Sequence, residues 1–295
     1  MLIQRIITAL VLAPLVILAI FKLSPEWFAL IYGVIILMAG WEWTNLIGMW
    51  LVRQRIAFLC SILVAMLFFQ YWWMVLEQLA QITNVQEVRN YSWLIEVTVL
   101  FPVLWWMLIM ILIRRNPVEL LNLHLKNRYK ALIGWFVLVF GWLFLSRLRL
   151  IEAPEMTLYF LLLIWSADIA AYFVGRKYGT TKLAPDISPG KTVAGYYGAL
   201  GAAVLCGIGF GLYFHAILIS FADMIMLSVL TVLVSIYGDL FFSLVKRHGG
   251  MKDSGGLLPG HGGLLDRLDS VIAAAPFFYA GVWVIRWMMD AAVSV

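Results

Sequence analysis

Charge is what this chain has least of. Asp, Glu, Lys and Arg make up 13% of its 295 residues, while 64% are hydrophobic, which leaves too little polar surface to coat a water-soluble globule. A soluble enzyme is excluded and a polytopic membrane protein is indicated. Cysteine is scarcer still. Cys60 and Cys206 each lie inside an apolar run without a partner at metal-ligand spacing, so neither a disulfide framework nor a zinc site is implied and both read as packing residues. An internal repeat and a long flexible linker are also missing.

What the chain does have is nine apolar runs, near 6–21, 27–48, 56–76, 93–113, 131–146, 156–175, 195–217, 219–242 and 270–289. Each meets or approaches the roughly 20 residues needed to cross a hydrocarbon core about 30 Å thick. An all-α membrane protein with about nine transmembrane helices is therefore expected. The first run lacks a small-residue cleavage pattern and further runs follow it, so it is expected to stay as a span. Lys and Arg set the orientation, because cytoplasmic loops concentrate them. With termini and loops assigned alternately from the inside, 16 of the 21 Lys and Arg fall on the cytoplasmic side. The N-terminus is thus predicted to lie in the cytoplasm and the C-terminus outside. The net charge of +5 gathers in those cytoplasmic loops, where it serves orientation and contact with membrane lipids, and no nucleic-acid partner is expected. Tyr71, Trp72, Trp73, Trp105 and Trp106 read as interfacial belt residues.

The carboxylates are unevenly shared. All eight glutamates lie at or before Glu155 and all eight aspartates at or after Asp168. A short carboxylate held close to its backbone suits a hard cation such as Mg²⁺, so the sequence divides into an N-terminal transmembrane scaffold, 1–155, and a C-terminal catalytic region, 156–295. Asp168 lies well inside an apolar run, where an ionisable group is costly and usually functional; its alternative is a buried brace between helices. Asp239, Ser243, Lys246 and Arg247 recur at i, i+4, i+7 and i+8, which puts acid, hydroxyl and base on one helical stripe. Between these spans, the loop 176–195 presents Ser188, Lys191 and Thr192 in a turn bounded by Gly and Pro. It looks like a phosphate cradle, although GKT without the upstream glycines is not a Walker P-loop.

Residues 243–269, SLVKRHGGMKDSGGLLPGHGGLLDRLD, hold three aspartates, four Lys/Arg, two histidines and seven of the 23 glycines. Lys246, Arg247, Lys252 and Arg267 can neutralise phosphate oxygens. Asp266 and Asp269, at i and i+3 on a helix beginning near Gly263, present two carboxylates on one face. Glycines let the backbone come close to phosphate. A metal and phosphate site at a membrane surface is the reading that uses all of these.

This segment resembles the signature of the phosphatidate cytidylyltransferases, also called CDP-diacylglycerol synthases. Ser243, Lys246-Arg247, Lys252-Asp253, Pro259, His261-Gly262-Gly263, Asp266-Arg267 and Asp269 stand at that family's spacing. Asp168 with Ala171-Tyr172, Ser188-Pro189 with Lys191-Thr192, and Gly238-Asp239 resemble further family blocks, so the likeness covers roughly 160–275. Two positions depart from the pattern: Phe242 stands where the family commonly has an acid, and Val193 where it tends to have an aromatic.

The resemblance implies transfer of a cytidylyl group from CTP to phosphatidic acid, forming CDP-diacylglycerol and pyrophosphate. It implies Mg²⁺, with room for a second cation, on Asp239, Asp266 and Asp269. Lys246, Arg247, Lys252 and Arg267 would clamp phosphate oxygens, and Ser188, Lys191, Thr192 and Ser243 would bind substrate, with Asp168 supporting the site from within the membrane. His261 either donates to the leaving group or braces the glycine turn, and Asp253 either binds metal or orients Lys252. The expected place is a bacterial inner membrane with the site facing the cytoplasm, in a polar cavity open sideways to lipid, and a homodimer stays open. Competing readings are a paralogue acting on another lipid phosphate and an ion-coupled transporter, which would use Asp168 and Asp239 as a cation path but leaves 243–269 unexplained. A transferase joining a CDP-activated lipid to an alcohol lacks its paired-aspartate run here.

Overall fold

The structure is a computed structural model of the chain and describes residues 2–213, 218–256 and 262–293. In chain order it runs α1 (Leu2–Lys22), α2 (Pro25–Leu46), α3 (Val52–Gln70), α4 (Trp72–Thr83), a 3₁₀ segment (Gln86–Trp93), α5 (Leu94–Val97), α6 (Leu100–Arg115), α7 (Pro117–Leu121), α8 (Asn127–Ile151) and α9 (Pro154–Tyr178). A hairpin of β1 (Lys182–Ala184) and β2 (Ser188–Thr192) follows, and then α10 (Val193–Tyr213), α11 (Leu218–His248) and α12 (Leu265–Val293).

The protein is a helical membrane bundle. Among the described residues eight helical stretches are long and apolar enough to cross a membrane, and Leu12–Lys22 of α1 is a shorter apolar one. These nine correspond to the nine runs read from the sequence, with shifted ends. The run 56–76 is divided at Tyr71, where α3 stops and α4 begins. The run 93–113 joins α5 to α6 through a turn at Thr98 and Val99. The run 219–242 continues to His248, because Lys246, Arg247 and His248 suit the negative end of a helix.

Local signals explain several boundaries. Ser24 caps α2, its Oγ accepting from Trp27 N at 3.5 Å with Pro25 at the first helical position. Pro185 and Pro189 deny the α9–α10 connection a helix, and it folds instead as the antiparallel hairpin, with Lys182 opposite Thr192 and Ala184 opposite Ser188. This small sheet is an addition to the all-α expectation.

Between lipid-facing helices there is little hydrophobic driving force, so close association depends on small residues that let backbones approach. A Cβ added at Gly238 of α11 would lie 2.2 Å from Ala273 Cβ of α12, and one at Gly134 of α8 would lie 2.0 Å from Trp43 Nε1 of α2. α8 packs on both α2 and α12, and α6 on α11. The division at residue 155 is therefore not a break in packing, and both halves share one core. At the end of the bundle away from the signature segment, Glu96 accepts from Arg147 and from the Tyr279 hydroxyl, and Arg149 donates to the carbonyls of Ile20 and Leu23.

Candidate active site

The polar cluster forms where the C-terminal ends of α2, α9 and α11 meet the hairpin and the start of α12. Because α11 is unbroken to His248, Asp239, Ser243, Lys246 and Arg247 lie along one stripe as their spacing predicts. Asp239 Oδ2 pairs with Lys191 Nζ of β2 at 2.6 Å, and its Oδ1 accepts from Ser243 Oγ at 3.3 Å. Lys191 also donates to the Ile236 carbonyl at 3.3 Å. Further along the stripe, Arg247 Nε donates to the Ile187 carbonyl at 3.2 Å. The two loops singled out from the sequence thus sit at the same end of the bundle, with the hairpin fastened across α11.

Asp168 on α9 and Asp269 on α12 complete this corner. Both lie within the electrostatic reach of Asp239 and of Lys191, so carboxylates from three helices share the field of one lysine. Tight contact of α11 with α12 at Gly238 and Ala273 sets Asp239 beside Asp269. Asp269 is buried and its Oδ1 accepts from Ser270 N at 2.7 Å. Asp168 is exposed, about 15 Å below the end of α9 at 1.5 Å per residue, and Arg267 also acts on it. Its neighbours Ile169, Tyr172 and Phe173 are exposed apolar side chains.

Asp266 is engaged differently. Its Oδ1 pairs with Lys246 Nζ at 2.6 Å, and its Oδ2 accepts from Ser254 N at 2.8 Å and Gly263 N at 3.3 Å. The carboxylate folds the glycine-rich segment back onto the start of α12. Lys252 and Asp253 follow Gly250, whose φ of +67° is the left-handed conformation that favours glycine, and both are exposed. Arg267 is exposed too. Thr192 is buried and its Oγ1 caps α10, accepting from Gly195 N at 3.1 Å; the hydroxyl hydrogen is left to donate. Ser188 is half-buried at the start of β2. His261 and Pro259 lie outside the described residues.

Glu42 was missed by the sequence reading, which placed the site carboxylates in the second half. It is 1% exposed and accepts from Leu264 N at 3.0 Å, Leu265 N at 2.8 Å and Ser254 Oγ at 3.0 Å. An acid inside an apolar span was the available signal. Phe242 also finds its explanation. It turns away from the charges into an aromatic cluster, 5.9 Å edge-on from Trp43 and 5.4 Å from Phe241.

Among the described residues no three His, Cys, Asp or Glu side chains are gathered into a cage for a cation. Asp239 and Asp269 fit the other mode of holding Mg²⁺, in which one or two carboxylates are completed by water and substrate phosphate. For Asp266 to join them, Lys246 must be displaced. A cavity of about 360 Å³ opens elsewhere, between α2, α3 and α8, where it is lined by Trp27, Leu30, Leu67 and Tyr71 and touches none of these residues.

Carboxylates and basic side chains converging at one end of a membrane bundle define an integral membrane protein with a site for anionic substrates. Residues 3–285 match the cytidylyltransferase family, and the chain belongs to it. It is 37% identical over 289 residues to a phosphatidate cytidylyltransferase of Pseudomonas aeruginosa, an alignment covering 97% of this chain and 99% of that one. A phosphatidate cytidylyltransferase of Haemophilus influenzae is 34% identical over 289 residues, covering 94% and 97%.

Proposed function

We propose that the chain transfers the cytidylyl group of CTP to phosphatidic acid at the cytoplasmic face of a bacterial inner membrane, with Asp239, Asp269 and the surrounding lysines as the reacting centre. The observation that carries the reading is the Lys191–Asp239–Ser243 arrangement beside Asp269 and Asp168, in a chain whose full-length relatives bear that activity in their names. A phosphate oxygen of the lipid bonds to the α-phosphorus of CTP while the bond from that phosphorus to the bridging oxygen breaks, and pyrophosphate leaves with the bonding pair. The lipid phosphate is already ionised near neutral pH, so the protein need supply no strong base, and catalysis rests on positioning and neutralised charge.

Each residue then has a defined task. The Lys191–Asp239 pair is partly accessible, with 23% and 31% of the side chains exposed, so a phosphate can compete for the ammonium without a large desolvation change. Ser243 braces Asp239 from the next turn of α11, and Thr192, capping α10, holds the strand from which Lys191 reaches that aspartate. Arg247 and Lys252 are exposed to incoming triphosphate, and Arg267 at the start of α12 acts on the charge of Asp168. Mg²⁺ on Asp239 and Asp269, with Asp266 joining once Lys246 turns to phosphate, would neutralise charge on the triphosphate. The exposed apolar flank around Asp168 suits a substrate that arrives through the bilayer.

The deciding experiment incubates the purified protein with labelled CTP, phosphatidic acid and Mg²⁺. A lipid-soluble cytidine product is expected. Its absence with phosphatidate but appearance with another lipid phosphate would reassign the substrate, and no lipid product at all would overturn the reading.

A further inference from the structure

Glu42 belongs to α2, more than 200 residues before its partners, yet its carboxylate is fully committed to the signature segment. Room for it is made by two glycines: a Cβ at Gly255 would meet Glu42 Oε1 at 2.4 Å and one at Gly263 would meet Oε2 at 2.8 Å. The end of the same helix receives the start of the segment, since a Cβ at Gly249 would meet the Leu46 carbonyl at 2.6 Å.

A helix start leaves several N–H groups without intrahelical partners and attracts an anion. At α12 that place is filled by a protein carboxylate, because Glu42 takes Leu264 N and Leu265 N. Substrate phosphates are therefore left to the side chains of Lys191, Arg247 and Lys252. Ser254 is fixed twice, through its N–H to Asp266 and through its hydroxyl to Glu42. Asp253 and Lys252 hang one and two residues from that fixed point, and Asp269 lies one helical turn beyond the latched end of α12.

We infer that Glu42 is a positioning residue for cytidylyl transfer, latching residues 249–256 to the start of α12 and so fixing where Lys252 and Asp253 stand relative to that helix, with Asp253 beside Gly262 and Asp266. The kinetic part of this inference rests on the function proposed above. The structural part does not.

Glu42→Gln is the diagnostic variant because it keeps the volume. In either amide orientation its NH₂ faces a backbone N–H of Leu264 or Leu265, so a mere space-filler tolerates it and a latch does not. In the purified full chain we expect kcat to fall about 10- to 100-fold, with a smaller change in KM for CTP. Deuterium uptake at 249–256 and 262–268 should rise while the α6 span stays unchanged. Glu42→Asp, which keeps the charge on a shorter arm, should recover part of both. Ser254→Ala cuts only the hydroxyl tie, so uptake should rise at 249–256 and hold at 262–268; this variant also carries the test if changes at Glu42 prevent folding. Normal kcat and normal uptake in Glu42→Gln would overturn the inference. If the unmutated chain transfers no cytidylyl group, the proposed function fails while the exchange measurement still decides the latch.

Discussion

At the scale of single residues, the structure separates three aspartates that the sequence grouped together. Asp266 spends both oxygens on Lys246 and two backbone N–H groups, whereas Asp269 is buried near Asp239 with one oxygen on Ser270 N. Asp269→Asn should therefore lower turnover by about 100-fold or more with little change in thermal unfolding. Asp266→Asn should lower the unfolding temperature as well, since it sets an amide NH₂ where N–H donors now point. Unfolding curves and cytidylyl transfer measured on both variants check this; equal stability in the two would show that Asp266 is not a fastener. The basic residues divide in the same way. Lys252 is exposed and serves by its charge, so Lys252→Ala should weaken use of CTP or phosphatidate. Arg267 has a planar fork that a point charge cannot reproduce, and Arg267→Lys should raise the Mg²⁺ concentration required. Titrating Mg²⁺ in both variants tests the assignment.

At the scale of elements, the site depends on how closely α11 and α12 approach. With Gly238 against Ala273, no side chain separates the backbones that carry Asp239 and Asp269. Gly238→Ala should destabilise the bundle by about 1–3 kcal/mol and reduce turnover more than it changes KM, because the carboxylates are pushed apart; unfolding in detergent together with kinetics measures both. The far end makes a contrast. Glu96, Arg147 and Tyr279 tie α5, α8 and α12 there, and the Arg147 and Glu96 side chains are 23% and 10% exposed. Arg147→Met strands an acid in the bundle, and we expect a loss of about 3 kcal/mol with KM for CTP unchanged. A shifted KM would mean that this end communicates with the site.

At the scale of the whole molecule, both loops carrying site residues emerge at one end, where Arg247 donates to the Ile187 carbonyl and Lys191 pairs with Asp239. Gly190 and Gly256 are exposed, and an added Cβ there meets nothing within 4 Å, so Gly190→Cys and Gly256→Cys are tolerated reporters in a chain with Cys60 and Cys206 replaced. Both should resist an impermeant maleimide in intact cells and react in opened ones. Reaction of either from outside would reverse the orientation expected from the Lys and Arg distribution.

The membrane class, the number of apolar runs and the local chemistry of 243–269 were legible without a fold. Composition, run length and short-range spacing are properties of neighbours in the chain, so Asp239 and Ser243 could be placed on one stripe without any fold. What depends on contacts between distant segments emerged only once the helices were packed. Glu42 looked like scaffold because its partners lie more than 200 residues away. Thr192 read as a phosphate ligand, yet its oxygen caps α10. Phe242 read as a departure within the site, yet its ring packs on Trp43 of another helix. A carboxylate's task is set by which donors the fold brings to it, and only helix packing brought Leu264, Leu265 and Ser254 to Glu42 and set the charges of Asp239 and Asp269 against each other.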